Sequence, residues 1–452
     1  MGIFNMEHRD HRKKHNPHML DAHIGLERES LRVDADGRLA RTVHPFPGDP
    51  QIDRDFSENQ TEFITGIYET PGAVYDALFE LHRRAARGLA ELPTGQEYLW
   101  PFSNPPVIGR EEENSPAQYY GDAAWKTEYR NHLRERYGTR LMLYSGVHFN
   151  FSFSDAFFEQ MYRDFCGNCS AEDVRRFCRA CGKAGQADLT AFRDACYLNM
   201  SAWGTRYAWL VVYLFAASSV LDPSFFDDPE TAAADERHLR YSSPRSSEIG
   251  YWNTFDPVLD YSDLKRYVDS IVRYVEDGSL MIPAELYYPV RVKPAGLYRM
   301  EALREEGISH IEFRTVDVNP YSPVGIFRED IQFLHLLMVY LMYREEKPFT
   351  PEEQLDALHD LKKAALYDDS TVLSNGISVR ENARLVLADI EGFFRKGVFT
   401  SVERRYIREA LTYQKRKLAP GCRYAEIVRR EFGENYQEKG LELAKKHAET
   451  LR

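Results

Sequence analysis

The chain has 452 residues, 43% of them apolar and 13% aromatic, with 28 Tyr and 26 Phe, enough for a large core and aromatic pockets. Its formal net charge of −12 argues against nucleic acid as a partner, and anionic ligands would need metal ions or local arginines. With no long Pro, Gly or Ser tract, a disordered chain is excluded.

Residues 1–20 carry Arg9, Arg12, Lys13 and Lys14 with no apolar stretch behind them, so no export signal is read and a cytoplasmic protein is expected. Segment 25–33, GLERESLRV, reads as a strand with Glu27 and Glu29 on one face and Arg28, Ser30 and Arg32 on the other. An exposed edge strand accounts for that pattern equally well. Segment 55–65, DFSENQTEFIT, gives Glu58 and Glu62 the same parity. In residues 148–153, HFNFSF, polar and aromatic residues alternate strictly, which puts His148, Asn150 and Ser152 opposite three Phe.

Cys166, Cys169, Cys178 and Cys181 form C-x2-C-x8-C-x2-C, which suggests either a structural zinc site or reduced thiols on helices. The run Ala208 to Leu221 has 14 residues, short of the roughly 20 that span a bilayer, and reads as a core helix. As a strand, ELYYPVR (285–291) aligns Glu285, Tyr287 and Arg291. HIEFRTVDVNP (310–320) aligns Glu312 with Arg314 against Ile311 and Phe313. Segment 331–343 is apolar nearly all round and predicts a buried helix. Thr350 with Glu353, Ser378 with Glu381, and Thr400 with Glu403 mark helix starts. Leu355, Leu358 and Leu366 suit one apolar helix face.

Together the strand segments suggest a sheet with one face lined by Glu, Arg, His and Tyr. Carboxylates gathered there would repel one another, and a hard divalent cation shared with substrate phosphates relieves the repulsion. Arginine on that face suits a carboxylate or phosphate. There is no P-loop, G-x-G-x-x-G, H-E-x-x-H or G-x-S-x-G motif, so a nucleotide would be held by metal ions on the sheet.

These residues resemble the bacterial glutamate–cysteine ligases. GLERESLRV (25–33), DFSENQTEFIT (55–65), KTEYRNHLRERYG (126–138) and SGVHFNFSF (145–153) carry the likeness. TRYAWLVVYLFAAS (205–218), RSSEIGY (245–251), ELYYPVR (285–291) and IEFRTVDVNPYSPVG (311–325) continue it in order. The resemblance implies an α+β fold, a funnel-like, largely antiparallel sheet flanked by helices as in the glutamine synthetase catalytic region. One large catalytic domain over 1–452 is expected, with a cysteine-containing helical insertion near 155–200 and a helical part near 331–452.

By the same resemblance, Glu27, Glu29, Asp55, Glu62, His148 and Glu312 fall at metal-ligand positions. Arg245 and Arg314 fall at catalytic positions that hold glutamate or the transferred phosphate. Phe56, Tyr129, Leu133, Tyr251 and Tyr287 fall at the cysteine pocket, and Arg130 and Arg291 are further substrate-binding candidates. The implied activity joins the side-chain carboxylate of glutamate to the amine of cysteine through a γ-glutamyl phosphate, as in the first step of glutathione biosynthesis. ATP would be co-substrate and Mg²⁺ the cofactor, with Mn²⁺ as the alternative ion. Two other readings stand beside it: the same ligation with a different amine acceptor, and a non-catalytic metal-binding scaffold. Small-molecule substrates are the expected partners, with no nucleic acid and no membrane, in a monomer or small homo-oligomer. Residues 346–452 match no further block, and the length is expected to leave no room for the ATP-grasp module of a bifunctional enzyme.

Overall fold

The computed structural model describes residues 16–109, 114–168 and 188–452. Its centre is a strand whose sequence explains both of its faces. In β1 (Ala22–Val33), Ile24 and Leu26 point to one side and Glu27 and Glu29 alternate to the other. β2 (Ile52–Arg54), β3 (Gln60–Ile64), β4 (Tyr98–Leu99), β5 (Gly146–Phe153), β6 (Val290–Lys293) and β7 (His310–Asp317) complete a seven-stranded sheet. Its order is β2-β3-β1-β5-β7-β6, with β4 beside the end of β1, and every pairing is antiparallel.

The register puts Glu29 opposite Glu62, Glu27 opposite His148, and Asn150 opposite Glu312, which in turn faces Arg291. The reverse face carries Phe63, Phe149, Phe151, Phe313 and Val290, all buried. Behind it pack helices Pro71–Ala90, Leu189–Arg206, Ala208–Phe215 and Arg328–Met342. Close contact demands a small residue at Gly204, where a Cβ would come within 2.8 Å of the Phe313 ring.

The structure revises several sequence expectations. β1 lies inside the sheet rather than at an edge, and Arg28 and Arg32 on its reverse face are buried. Arg32 is paired with Glu97 and donates to the carbonyls of Thr42 and Glu58 at 3.0 and 2.8 Å. Residues 285–291 are not one strand. Pro283–Glu285 is a 3₁₀ turn, and pairing begins only at Val290, because proline at 283 and 289 removes donors that a ladder needs. Glu285 instead accepts from the Tyr137 hydroxyl at 2.8 Å and the Met281 N–H at 2.6 Å.

The apolar run from Ala208 is helical only to Phe215. Ala216 turns extended as Asp317 accepts from the Ala217 N–H at 3.0 Å and Ser242 O from the Ser218 N–H at 3.1 Å. No described helix is long and apolar enough to cross a membrane.

Arg328–Met342 is buried along nearly its whole length, as its composition predicts. Thr350, Ser378 and Thr400 cap helices Pro351–Ala364, Val379–Arg395 and Ser401–Arg416, and Thr400 with Glu403 closes a full capping box. Leu355, however, is exposed, and the inward face of its helix is Gln354, Ala357, Leu358 and Leu361. Helices Tyr424–Phe432 and Tyr436–Leu451 end the chain, the latter lying against Pro71–Ala90 and β4. At the expected insertion, the described ends are helices Asp155–Asn168 and Leu189–Arg206, and both place side chains in the main core. Cys166 is exposed, while Cys169, Cys178 and Cys181 lie outside the described residues.

Candidate active site

Period-two alternation in three adjacent strands gathers Glu27, His148 and Glu312, whose ligand atoms lie within 4.8 Å of one another. His148 Nδ1 is 3.1 Å from Glu27 Oε2 and 3.9 Å from Glu312 Oε1, and its Nε2 is 3.4 Å from Glu29 Oε1. Asn150 Nδ2 donates to Glu27 Oε1 at 3.0 Å, and the Gly146 N–H donates to Glu29 Oε2 at 2.8 Å. On the other side of Glu312, Lys293 Nζ lies 3.4 Å from Oε1 and Arg314 Nη1 donates to Oε2 at 3.1 Å.

Electrostatics divide the carboxylates. Burial pushes Glu312 up, but Lys293, Arg314, His148 and Arg291 outweigh it and hold the group well below the usual carboxylate range. Glu27 is also lowered, its burial offset by the hydrogen bond from His148. Glu29 is raised by burial and by Asp55. Glu62 is raised well above the ordinary range, first by burial and then by Asp55, Glu27 and Glu29. The negative charge crowded around Glu29, Asp55 and Glu62 therefore exceeds what nearby cations neutralise, a surplus that a divalent ion would relieve.

Beside this cluster is a cleft of about 370 Å³ whose lining includes Arg245, Tyr251, Tyr287, Arg314 and Thr315. A β-bulge makes two consecutive residues face it. Val147 pairs with Val316 and Phe149 with Phe313, so Arg314 and Thr315 stand opposite the single residue His148. Arg245 reaches in from the Pro244–Ser246 turn and donates to Val316 O at 3.3 Å and Arg314 O at 3.1 Å. It lies over Gly146, where a Cβ would sit 2.2 Å from Nη2.

Phe56, Leu133, Met142 and Tyr287 form a small apolar cluster, with Tyr129 and Tyr251 packed against it. The Tyr251 and Tyr287 rings meet edge to face at 4.4 Å. Burial pushes the Tyr251 phenol up to about 12, so it stays protonated as a donor. Leu133 and Tyr129 come from helix Trp125–Tyr137, which also supplies Arg130. Arg130 donates from Nη2 to Arg54 O at 3.2 Å and from Nε to Asp55 O, and so fixes the loop that carries Asp55 and Phe56. Arg291 donates to the carbonyls of Ala284 and Leu286, a position that supports the turn before Tyr287.

The glutamate–cysteine ligase family profile matches residues 9–364. The chain belongs to the glutamate–cysteine ligase family. It is 32% identical over 345 residues to the glutathione biosynthesis bifunctional protein GshAB of Listeria monocytogenes, a match covering 74% of this chain and 42% of that protein. GshAB of Enterococcus faecalis is 33% identical over 349 residues, covering 76% of this chain and 42% of the relative. The chain thus matches less than half the length of these curated relatives.

Two solved structures share the fold. Glutamate–cysteine ligase of Francisella tularensis, solved in complex with AMP, has a TM-score of 0.81 at 21% identity, over 96% of this chain and 89% of that one. A bifunctional glutathione synthetase of Pasteurella multocida also gives 0.81, at 24% identity, over 99% of this chain and 55% of that one. The expected antiparallel sheet flanked by helices therefore holds, and the likeness extends through the helices beyond residue 364.

Within this family frame, three site groups escape the sequence reading. Lys293 sits two residues beyond Arg291 on the same strand face, so strand period was a usable signal. Asn150 shares a face with His148 and was visible as a polar group, though not as a partner of Glu27. Gly146 contributes a backbone N–H and the space for Arg245, and nothing in its local sequence announces either.

Proposed function

We propose that the protein catalyses ATP-dependent ligation of the side-chain carboxylate of L-glutamate to the amine of L-cysteine. The observation that carries this reading is the Glu27–His148–Glu312 cluster set against Arg314 and an aromatic-walled cleft. A buried set of carboxylate oxygens with one imidazole fits Mg²⁺, and Mn²⁺ as well. Glu27, His148 and Glu312, with Glu29, Asp55 and Glu62 alongside, would hold such ions. When bound, they would neutralise the triphosphate and stabilise charge on the phosphoryl group in transfer.

The chain's own residues supply the rest. Arg314 is held by Glu312 with its guanidinium at the cleft, placed to meet the glutamate carboxylate or the moving phosphoryl group. Arg245, fixed by two β7 carbonyls, adds a second positive charge on the same wall. The side-chain carboxylate oxygen of glutamate attacks the γ-phosphorus and ADP leaves, giving an acyl phosphate. The neutral amine of cysteine then attacks the acyl carbon, phosphate departs, and one proton is released. The cluster of Phe56, Tyr129, Leu133, Tyr251 and Tyr287 is a compact pocket for a small acceptor, and its apolar walls keep water from the acyl phosphate.

The test is to mix protein, Mg-ATP and glutamate with single amines, then measure ADP release and product mass. Cysteine should support the fastest ADP release and give a γ-glutamylcysteine mass. Release that ignores glutamate would overturn the reading, and a faster alternative amine would reassign the acceptor.

A further inference from the structure

The reverse face of β1 holds a second feature that the ligation chemistry does not use. Arg28 stands between Glu27 and Glu29 in sequence, so its side chain leaves the strand on the opposite side. It is buried to 2% exposure, and its Nε and Nη1 find no acceptor among the described residues. Buried polar groups are almost always hydrogen-bonded, and an unpaired buried charge is strongly unfavourable. Arg28 lines a small pocket between β1, helix Pro71–Ala90, β4 and helix Tyr436–Leu451.

Of the other titratable groups on the wall, Glu97 and His447 are already engaged. Glu97 is paired with Arg32 and accepts from the Thr42 hydroxyl. His447 is tied through Nε2 to Pro320 O at 2.7 Å, and burial lowers its basicity, so it stays neutral. The remaining walls are largely apolar, including Ala86, Leu89, Leu99, Ala444, Ala448 and Leu451. One unneutralised guanidinium at the side of an apolar chamber matches a ligand with one carboxylate and a small hydrocarbon body.

We infer that this cavity is a binding site for a small apolar carboxylate, anchored by Arg28 and separated from the catalytic cleft by the sheet. Because Arg28 shares a strand with Glu27 and Glu29, occupancy there would stiffen the strand that carries them.

The test follows the melting temperature of the intact protein as isobutyrate, isobutyramide or inorganic phosphate is titrated in. Isobutyrate should give a saturable rise of about 2 °C at roughly ten times its Kd, while the neutral amide and phosphate give none. Arg28→Met should abolish the response. So should Ala448→Leu, which fills the chamber from the helix side and leaves the arginine in place. Arg314→Lys, on the far side of the sheet, should retain it. No saturable response in the wild type would overturn the inference. So would an equal response to the amide or to phosphate, or one that survives Ala448→Leu and disappears only in Arg314→Lys.

Discussion

Asp330 and Glu312 are both buried carboxylates held by cations, yet their surroundings differ in one decisive respect. Asp330, in helix Arg328–Met342, accepts from Lys417 at 2.7 Å, Gln414 at 2.9 Å and Tyr424 at 2.8 Å. Lys417 also donates to Leu214 O at 3.1 Å and lies 4.0 Å from the centre of the Tyr424 ring. One negative charge meets one positive charge, and almost every donor is used. Around Glu312 the protein adds Glu27, Glu29, Asp55 and Glu62, while among the described residues only Lys293 and Arg314 touch a carboxylate of the group as lysine or arginine cations. Arg130 and Arg245 give their N–H groups to main-chain carbonyls instead. A balanced buried pair fastens helices together. An unbalanced one holds unfavourable energy that a cationic partner can relieve, which is what a binding site requires.

Substitutions should separate the two regions. The largest effect is expected from Glu312→Gln, which should lower kcat/KM at least about 1,000-fold, about 4 kcal/mol in the barrier. Its melting temperature should fall as well, because Lys293 and Arg314 lose the carboxylate they neutralise; Glu62→Gln, which removes a charge crowded by Asp55, Glu27 and Glu29, should leave it level or higher, and a fall of several degrees there would make the acidic cluster structural. Lys417→Met should cost about 3–5 kcal/mol of stability in urea denaturation by stranding Asp330. Adding Asp330→Asn should restore part of the loss, and kcat per folded molecule should change little.

Magnesium binding at about 100 times its Kd should stabilise the wild type by about 2.7 kcal/mol, read by thermal denaturation. Glu27→Gln should lose that response, and an equal shift in the variant would place the ion elsewhere. Arg314→Lys keeps the charge but loses the planar fork, so kcat should fall about 10- to 100-fold, roughly 1.4–2.7 kcal/mol, with the melting temperature nearly unchanged. The smallest effect is expected in the helices. Thr400→Ala should cost about 1 kcal/mol of stability through loss of the capping box and leave the kinetics alone.

How far the sequence revealed this arrangement depended on the range of the interaction. Alternation within β5 and β7 assigned His148, Asn150, Glu312 and Arg314 to one face, because side-chain direction is set within two residues. Caps at Thr350, Ser378 and Thr400 were legible for the same reason. What stayed hidden was set by pairing partners. The motif GLERESLRV does not say whether its strand lies at an edge or the centre, and so it did not disclose that Arg28 and Arg32 are buried. Glu285, Tyr287 and Arg291 looked aligned until the prolines and the Glu285 hydrogen bonds turned their segment away from the ladder. Leu355 followed its helical period yet faces outward, since the inward side of its helix is Leu358 with Gln354, which is bonded to the main chain of Leu259 and Phe349.

The bulge opposite His148 bears on how tolerant this strand is to changes in length. Removing Thr315 would return β7 to simple alternation: Glu312 and Arg314 would stay on the cleft side, Val316 in the core, and Asp317 in reach of Ala217 and Ser243. The shortened strand would gain a regular ladder step, but the Arg314 and Val316 carbonyls would become consecutive and could no longer both accept from Arg245. What it would lose is the second residue at the mouth, so Arg314 would swing nearer to His148 and the opening between them would narrow. Thr315 would thus serve as a spacer, one residue of chain length that sets the width of the mouth.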